Sequence, residues 1–220
     1  MVIVQVGIAA SGKTFIIDRD ATLRHSDFFA EELAHSKSSS GAHTVKLPDE
    51  DAELFNLFRH FVTSGQIYSS HDDDYECAKS DEQGDGTDRE WGRLIDSWLL
   101  GERIQSCSFK DAIVDTIIEK VIRGDCYSPD IQDDIYPQSK KTSAIRKLVV
   151  DMAIWAHEDG TLEKQRYKKN LSRFYYDLVL ALNAAKANGV PTKAPYQGRN
   201  TCKYHEHEQE GKPCYKTMLF

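Results

Sequence analysis

The chain has 220 residues, of which 40% are hydrophobic and 29% charged, and its formal net charge is −7. A chain of this length can bury a full core without disulfides or metal. No apolar run approaches the roughly 20 residues that span a membrane, and the start, MVIVQVG, lacks the features of a signal peptide. Five irregularly spaced cysteines do not suggest a disulfide framework. We therefore expect a cytoplasmic or nuclear protein with no membrane partner.

The acidic excess is concentrated in residues 69–90. This segment holds nine acidic and two basic side chains, an excess that equals the net charge of the whole chain. With few apolar residues it is predicted to be a disordered loop. The rest of the chain is electrically balanced, so no nucleic-acid partner is expected. We interpret one basic cluster as a solvated helix face; its members are Lys140, Lys141, Arg146 and Lys147.

The N-terminal residues predict a β-hairpin followed by a helix. Residues 2–6 are rich in β-branched side chains and favour a strand, residues 11–13 favour a turn, and residues 15–17 favour a second strand. In the next segment, Ser26 is expected to cap a helix that carries Phe29 on its apolar face.

A third strand, residues 44–47, precedes further helices. Asp49 is predicted to cap the first of them and Gly65 to end it. Apolar residues at helical spacing predict two more helices between residue 91 and about residue 123. The Pro-, Asp- and Gln-rich residues that follow read as a linker, and two further apolar stripes predict helices around 145–155 and 167–182.

This order of elements, together with several short motifs, resembles the BTB/POZ domain, and in particular the BTB proteins of filamentous fungi. The matching stretches are the first-helix pattern, Val45–Asp49, which resembles the family's "V-x-L-P-x-D" entry to the next helix, Phe61–Ile67, Leu94–Gln105 and Phe109–Ile118. The motif residues we single out are Leu23, Ser26, Phe28, Phe29, Leu47 and Gly65.

The resemblance implies an α+β fold with a BTB/POZ-like interaction domain at 1–124, a linker at 125–142, a helical extension at 143–189 and a polar tail at 190–220. It also implies a non-enzymatic, protein-binding function, as an adaptor for a cullin-type ubiquitin ligase or as a transcriptional regulator. Asp18 stands where family members often have a histidine of the dimer region. We therefore expect a monomer or only weak self-association.

Residues Gly7–Thr14 match the P-loop pattern G-x-x-x-x-G-K-[ST], which makes a nucleotide-binding enzyme the alternative function. A phosphate-binding loop must lead into a helix N-terminus. The Phe-Ile-Ile that follows Thr14 has no helical spacing and favours a strand. We therefore interpret the match as a hairpin turn, and a strand or a helix just after Thr14 distinguishes the two functions.

The tail contains four residues of the types that bind zinc: Cys202, His205, His207 and Cys214. Two thiolates and two imidazoles can complete a tetrahedral site, which would staple the tail and leave no open position for catalysis. Against zinc, His205 and His207 would point to opposite sides of a strand. A polar, poorly ordered tail without a cofactor is the expectation we favour; a Cys202–Cys214 disulfide is the third alternative.

Overall fold

The computed structural model describes residues 1–8, 12–35, 43–70, 89–123, 131–156, 171–189, 193–218 and 220. The protein is α+β, as predicted: most of the described residues are helical, and three strands form one sheet of order β2–β1–β3. The strands are β1 (Val2–Val6), β2 (Lys13–Ile17) and β3 (His43–Leu47). β1 pairs antiparallel with β2 and parallel with β3. The strand that was predicted after the P-loop match is confirmed.

One face of β1 forms the floor of the core. Val2, Val4 and Val6 are completely buried, while Gln5 between them is exposed. This alternation follows from the two-residue period of a strand, which directs every second side chain to the same face. The β-branched side chains fit that half-buried, pleated surface.

Two short helices follow the sheet's hairpin. They are α1 (Arg19–His25) and α2 (Asp27–His35). The helix α1 was not predicted; Asp18 caps it by accepting a hydrogen bond from the Ala21 amide. Ser26 caps α2, because its Oγ accepts from the Phe29 amide at 3.2 Å, which confirms the predicted cap.

The helix α3 (Ala52–Ser64) starts later than predicted. Asp51, and not Asp49, is its cap, since Asp51 Oδ1 accepts from the amides of Glu53 and Leu54. The wrong choice arose because several acids in succession suit the first turn of a helix equally well. Gly65 ends α3 with φ 71°, as predicted.

The next pair of helices, α4 (Arg89–Arg103) and α5 (Cys107–Ile122), forms the centre of the molecule. Trp91 and Trp98 of α4 are buried. The predicted acidic loop lies outside the described residues at 71–88, but its last two residues were assigned wrongly, since they begin α4. Glu90 is buried there and accepts hydrogen bonds from Lys120 and Ser69.

The predicted linker at 125–142 contains a helix in its described part. This is α6 (Ile131–Gln138), and Ile131, Ile135 and Tyr136 are buried on it. Acidic residues and Pro137, which cannot donate a backbone hydrogen bond within a helix, concealed the apolar spacing in the sequence. The prediction of a linker was therefore wrong over these residues.

Two longer helices complete the helical extension, α7 (Ile145–Trp155) and α8 (Ser172–Asn188). Phe174 and Leu178 are buried on α8, whereas Leu182 is 47% exposed, so the predicted apolar stripe is buried only in the first half of the helix. Tyr167, where this helix was expected to begin, lies outside the described residues. Gly189 follows its last residue, as predicted.

Arg146 does not belong to a solvated face. It is 4% exposed, and its guanidinium donates to the carbonyl oxygens of Tyr136 and Ser139 and to the Ser139 hydroxyl. It also stacks over the Tyr136 ring. The basic spacing in the sequence could not distinguish this buried residue from Lys140, Lys141 and Lys147, which are exposed.

The buried hydrophobic residues form one cluster that runs from Val2 to Tyr204. It includes side chains from the sheet, from the helical extension and from the C-terminal segment. No helix among the described residues is both long enough and apolar enough to cross a membrane.

Candidate metal centre

The C-terminal segment is folded and packs against α5. It contains short 3-10 turns at Cys202–Tyr204 and Tyr215–Thr217 and the one-turn helix α9 (His207–Glu210). Gly211 follows α9 with φ 65° and turns the chain back. The expectation of a poorly ordered polar tail is therefore wrong for residues 193–218.

The four predicted ligand residues come together in this segment. One ligand atom from each of Cys202, His205, His207 and Cys214 lies within 4.8 Å of all the others. Both histidines are buried and both cysteines are partly buried. The cluster that the spacing suggested thus exists in three dimensions.

The predicted divergence of the two imidazoles does not occur, because the segment is not a strand. His205 is extended, at φ −93° and ψ 149°, whereas Glu206 is already helical and His207 begins α9. The change of conformation between them directs both rings to one side, with centroids 5.3 Å apart. Sequence reasoning missed this because it assumed one regular structure over all three residues.

Asp111 of α5 orients His207. Nδ1 of His207 lies 2.8 Å from Oδ2 of Asp111. The other oxygen, Oδ1, accepts from the Glu206 amide at 2.6 Å. With Nδ1 engaged by the carboxylate, Nε2 is the nitrogen that His207 can offer to a metal. A carboxylate on the remote nitrogen is the usual second partner of a metal-binding histidine.

Asp115, one turn further along α5, lies beside His205. Nε2 of His205 is 3.1 Å from Oδ1 of Asp115, but the geometry does not make a hydrogen bond, and neither ring nitrogen of His205 has a hydrogen-bond partner. The His205 side chain is fully buried. A buried imidazole nitrogen without a hydrogen bond is costly, and an ion at Nδ1, the nitrogen that does not face Asp115, would satisfy it.

Asp115 also binds three other side chains of the C-terminal segment. Asp115 accepts hydrogen bonds from Thr201 at 2.5 Å and Tyr215 at 2.6 Å, and Lys216 pairs with it at 2.7 Å. Burial raises the pKa of Asp115, but these donors and the adjacent His205 outweigh burial, so its pKa lies well below the usual range. Asp115 is therefore ionised.

Burial acts more strongly on Asp111, which is completely buried. Burial raises the pKa of its carboxyl, against the opposing effects of His205, the Glu206 amide and His207.

Among the thiols, burial and the neighbouring Cys214 thiol raise the pKa of Cys202. A bound dication would reverse that effect, since metal-bound thiols are deprotonated.

The donor set matches zinc in type and number. Zinc prefers four ligands in a tetrahedron, with Zn–S about 2.3 Å and Zn–N about 2.0–2.1 Å. Those bond lengths imply ligand–ligand separations of about 3.3–3.8 Å. The present separations of up to 4.8 Å thus require a contraction of about an ångström. Cys202 and Cys214 are free thiols here, so the alternative disulfide is not formed.

The BTB-like motif residues lie in the core or at helix ends. Phe29 and Leu47 are in the core, Ser26 caps α2, and Gly65 ends α3. Leu23 and Phe28 are partly buried and pack against the core. These residues do not gather into one exposed site.

The P-loop match surrounds a hairpin connection of which residues 9–11 lie outside the described part. Gly7, at its start, has φ 84°, and its amide donates to the Leu47 carbonyl. Thr14 lies in β2, paired with Gln5. The segment after the match is therefore a strand, without the helix N-terminus that would face a phosphate.

Sequence reasoning missed Asp111 and Asp115. The available signal was a pair of acids at i and i+4 on a helix whose other residues are mostly apolar. Both are 7% exposed or less, and buried acids require partners. Those partners lie about 90 residues away in the chain, which spacing along the sequence does not reveal.

No family model, no curated protein and no solved structure matches this chain.

Proposed function

We propose that this protein is a protein-interaction module of the BTB/POZ kind, serving as an adaptor for a cullin-type ubiquitin ligase or as a transcriptional regulator, with a C-terminal segment stapled by zinc. The observation that carries the first part is the element order. A β-hairpin, two short helices, a third strand parallel to β1 and then the three helices α3, α4 and α5 share one core. The motif residues occupy core and cap positions that this arrangement needs.

An exposed sheet edge supports protein binding. Among the described residues β2 pairs with β1 alone, which leaves its other edge available to a further strand. Ile16 on β2 is 61% exposed. An edge strand with an exposed apolar side chain is a common site of strand addition by a partner.

A nucleotide-binding enzyme fits the same residues less well. Lys13 and Thr14 are strand residues paired with Val6 and Gln5, so their amides do not form the helix N-terminus that holds a phosphate. We expect isothermal calorimetry with ATP or GTP and magnesium to give no binding heat. Micromolar binding that Lys13→Ala abolishes would favour the enzyme.

Zinc is the cofactor we propose for the C-terminal cluster. Three features favour it: four ligand atoms within 4.8 Å, a carboxylate on Nδ1 of His207, and a fully buried His205 whose ring nitrogens make no hydrogen bond. Four protein ligands leave no position for substrate, so the role is structural. Zinc would close the loop between Cys202 and Cys214 over α5.

Metal analysis of untagged protein purified without chelator tests the zinc proposal. We expect about one zinc per chain, lost in Cys202→Ser and retained in the control Cys77→Ser. Less than about a tenth of an equivalent, with no uptake on titration with zinc, would contradict it.

Affinity capture with a matched pair of variants tests the interaction function. Ile16→Asp places a charge on the β2 edge, and Val179→Asp places one on α8, where Val179 is 54% exposed. We expect a cullin-type scaffold or a transcriptional regulator to bind the wild type and Val179→Asp with equal affinity, and Ile16→Asp at least tenfold more weakly. Equal binding by all three would exclude the β2 edge.

A further inference from the structure

Resting on the proposed zinc site, we propose that Cys202 and Cys214 are a modification site: a hydroperoxide oxidises the two zinc-bound thiolates to a disulfide and expels the metal. The zinc site would then not be a permanent staple but one that oxidation opens. Only the two sulfur ligands react, because the two imidazoles are buried against carboxylates.

The site has a protected side and an open side. His205 and His207 are 1% and 7% exposed, and Asp111 and Asp115 lie against their rings. Cys202 and Cys214 are each only partly buried. A small oxidant from solvent therefore reaches the sulfur atoms before it reaches the metal's nitrogen ligands, and thiolates are the oxidisable ligands of such a site.

The two sulfur atoms are already neighbours. Their sulfur atoms are at most 4.8 Å apart. A disulfide has an S–S length of about 2.05 Å, so the atoms must approach by less than about 3 Å. Gly211, at φ 65°, and Pro213 form the turn before Cys214. Cys202 lies on a short 3-10 turn, so neither thiol is fixed in a long helix or strand.

The reaction balances in two steps. The first thiolate attacks one peroxide oxygen, the O–O bond breaks, and with one proton the products are a sulfenic acid and water (or an alcohol). The second thiolate then attacks the sulfenic sulfur, the S–O bond breaks, and with a second proton the hydroxide leaves as water. Two electrons pass from the sulfurs to the peroxide. Zinc, left with two imidazoles, dissociates as Zn²⁺.

The fold predicts which contacts survive the oxidation. Thr201 and Tyr215, which are not among the metal ligands, donate to Asp115, and the disulfide closes the same loop that zinc closed. The C-terminal segment should therefore stay docked on α5. The change is local: His205 loses the ion that satisfied it and is again a fully buried ring without a hydrogen bond.

Zinc release on peroxide treatment tests the proposal. Full-length protein is first assayed for zinc, then treated with hydrogen peroxide in the presence of a chromophoric chelator, and analysed by intact mass and peptide mapping. We expect about one equivalent of zinc released per chain, a loss of two hydrogen atoms, and a crosslink between Cys202 and Cys214. Thiol reductant with added zinc should restore the metal. The double variant Cys77→Ser, Cys126→Ser should behave as the wild type.

The outcomes separate the two proposals. Protein that neither contains nor takes up zinc overturns both. Zinc-loaded protein that keeps its metal in a large excess of peroxide overturns only the oxidation. So does zinc loss that ends in sulfinic acids, or in a disulfide to another cysteine, without the Cys202–Cys214 crosslink.

Discussion

Asp111 and His207 are 96 residues apart in the chain, yet Oδ2 of the one and Nδ1 of the other are 2.8 Å apart in the fold. This contact fixes the ring of His207 and leaves Nε2 directed away from α5. Through this contact, the core helix α5 positions the C-terminal segment. Removing it should therefore weaken metal binding.

Asp111→Asn should weaken zinc binding by about 10- to 100-fold, the range found when the second partner of a ligating histidine is removed. The amide no longer supplies the charge that polarises the imidazole. Competition with a chromophoric chelator measures the affinity. Asp20→Asn is the matched control, because Asp20 has a side chain 79% exposed on α1. Unchanged affinity in Asp111→Asn would show that His207 is not a ligand.

His25 makes stability depend on pH. Burial, assisted by the charge of Arg24, lowers the pKa of His25 to about 4. The ring is 3% exposed, stacks on Phe220 and contacts the Ser108 hydroxyl at 2.9 Å. The unfolded chain takes up this proton near pH 6.5. Between the two pKa values the unfolded state binds more protons, so stability rises with pH.

The contribution of His25 is therefore complete above about pH 6.5 and is lost as the pH falls toward 4. Its full size is on the order of 3 kcal/mol. Urea unfolding of wild type and His25→Gln at pH 7 and pH 4.5 measures it, and the wild type should lose more stability between the two values. If both proteins lose the same free energy of unfolding between pH 7 and pH 4.5, groups other than His25 cause the acid sensitivity.

Arg146 should be essential to the docking of α6. Arg146→Met keeps the aliphatic stem but leaves the buried carbonyl groups of Tyr136 and Ser139 without their donor. We expect a loss of about 2 to 4 kcal/mol in the free energy of unfolding. Lys141→Met, at an exposed position, should change it by less than about 0.5 kcal/mol. Similar losses in both variants would contradict the role of Arg146.

Gly65 is required both by its backbone and by its neighbour. Its φ of 71° is left-handed, and a Cβ there would lie 2.8 Å from the Phe220 ring. Gly65→Ala should cost about 1 to 2 kcal/mol from the backbone alone and more from the clash. In a Phe220→Ala background the cost should fall to the backbone part. Thermal unfolding of the two single variants and the double variant separates the backbone cost from the clash. If Gly65→Ala costs the same in both backgrounds, the Phe220 ring moves aside and there is no clash.

Local structure could be predicted from the sequence wherever one spacing rule applied. The β-branched side chains of residues 2–6 predict β1, Ser26 and Gly65 mark helix ends, and the segment after Thr14 is predicted to be a strand because it lacks helical spacing. Each of these depends on side chains within a few residues of one another, which the sequence displays directly. The same is true of the four candidate zinc ligands, whose residue types are plain in residues 202–214.

Whether those four ligands meet depends on the tertiary structure. The two imidazoles converge because the chain changes from extended to helical between His205 and His207, and because α5 presents Asp111 and Asp115 to that segment. It also decided that Arg146 is buried beneath α6 and that residues 131–138 are helical. The sequence does not distinguish a buried charged residue from an exposed one. The buried residue has partners that only folding brings near, and their positions depend on how the core packs.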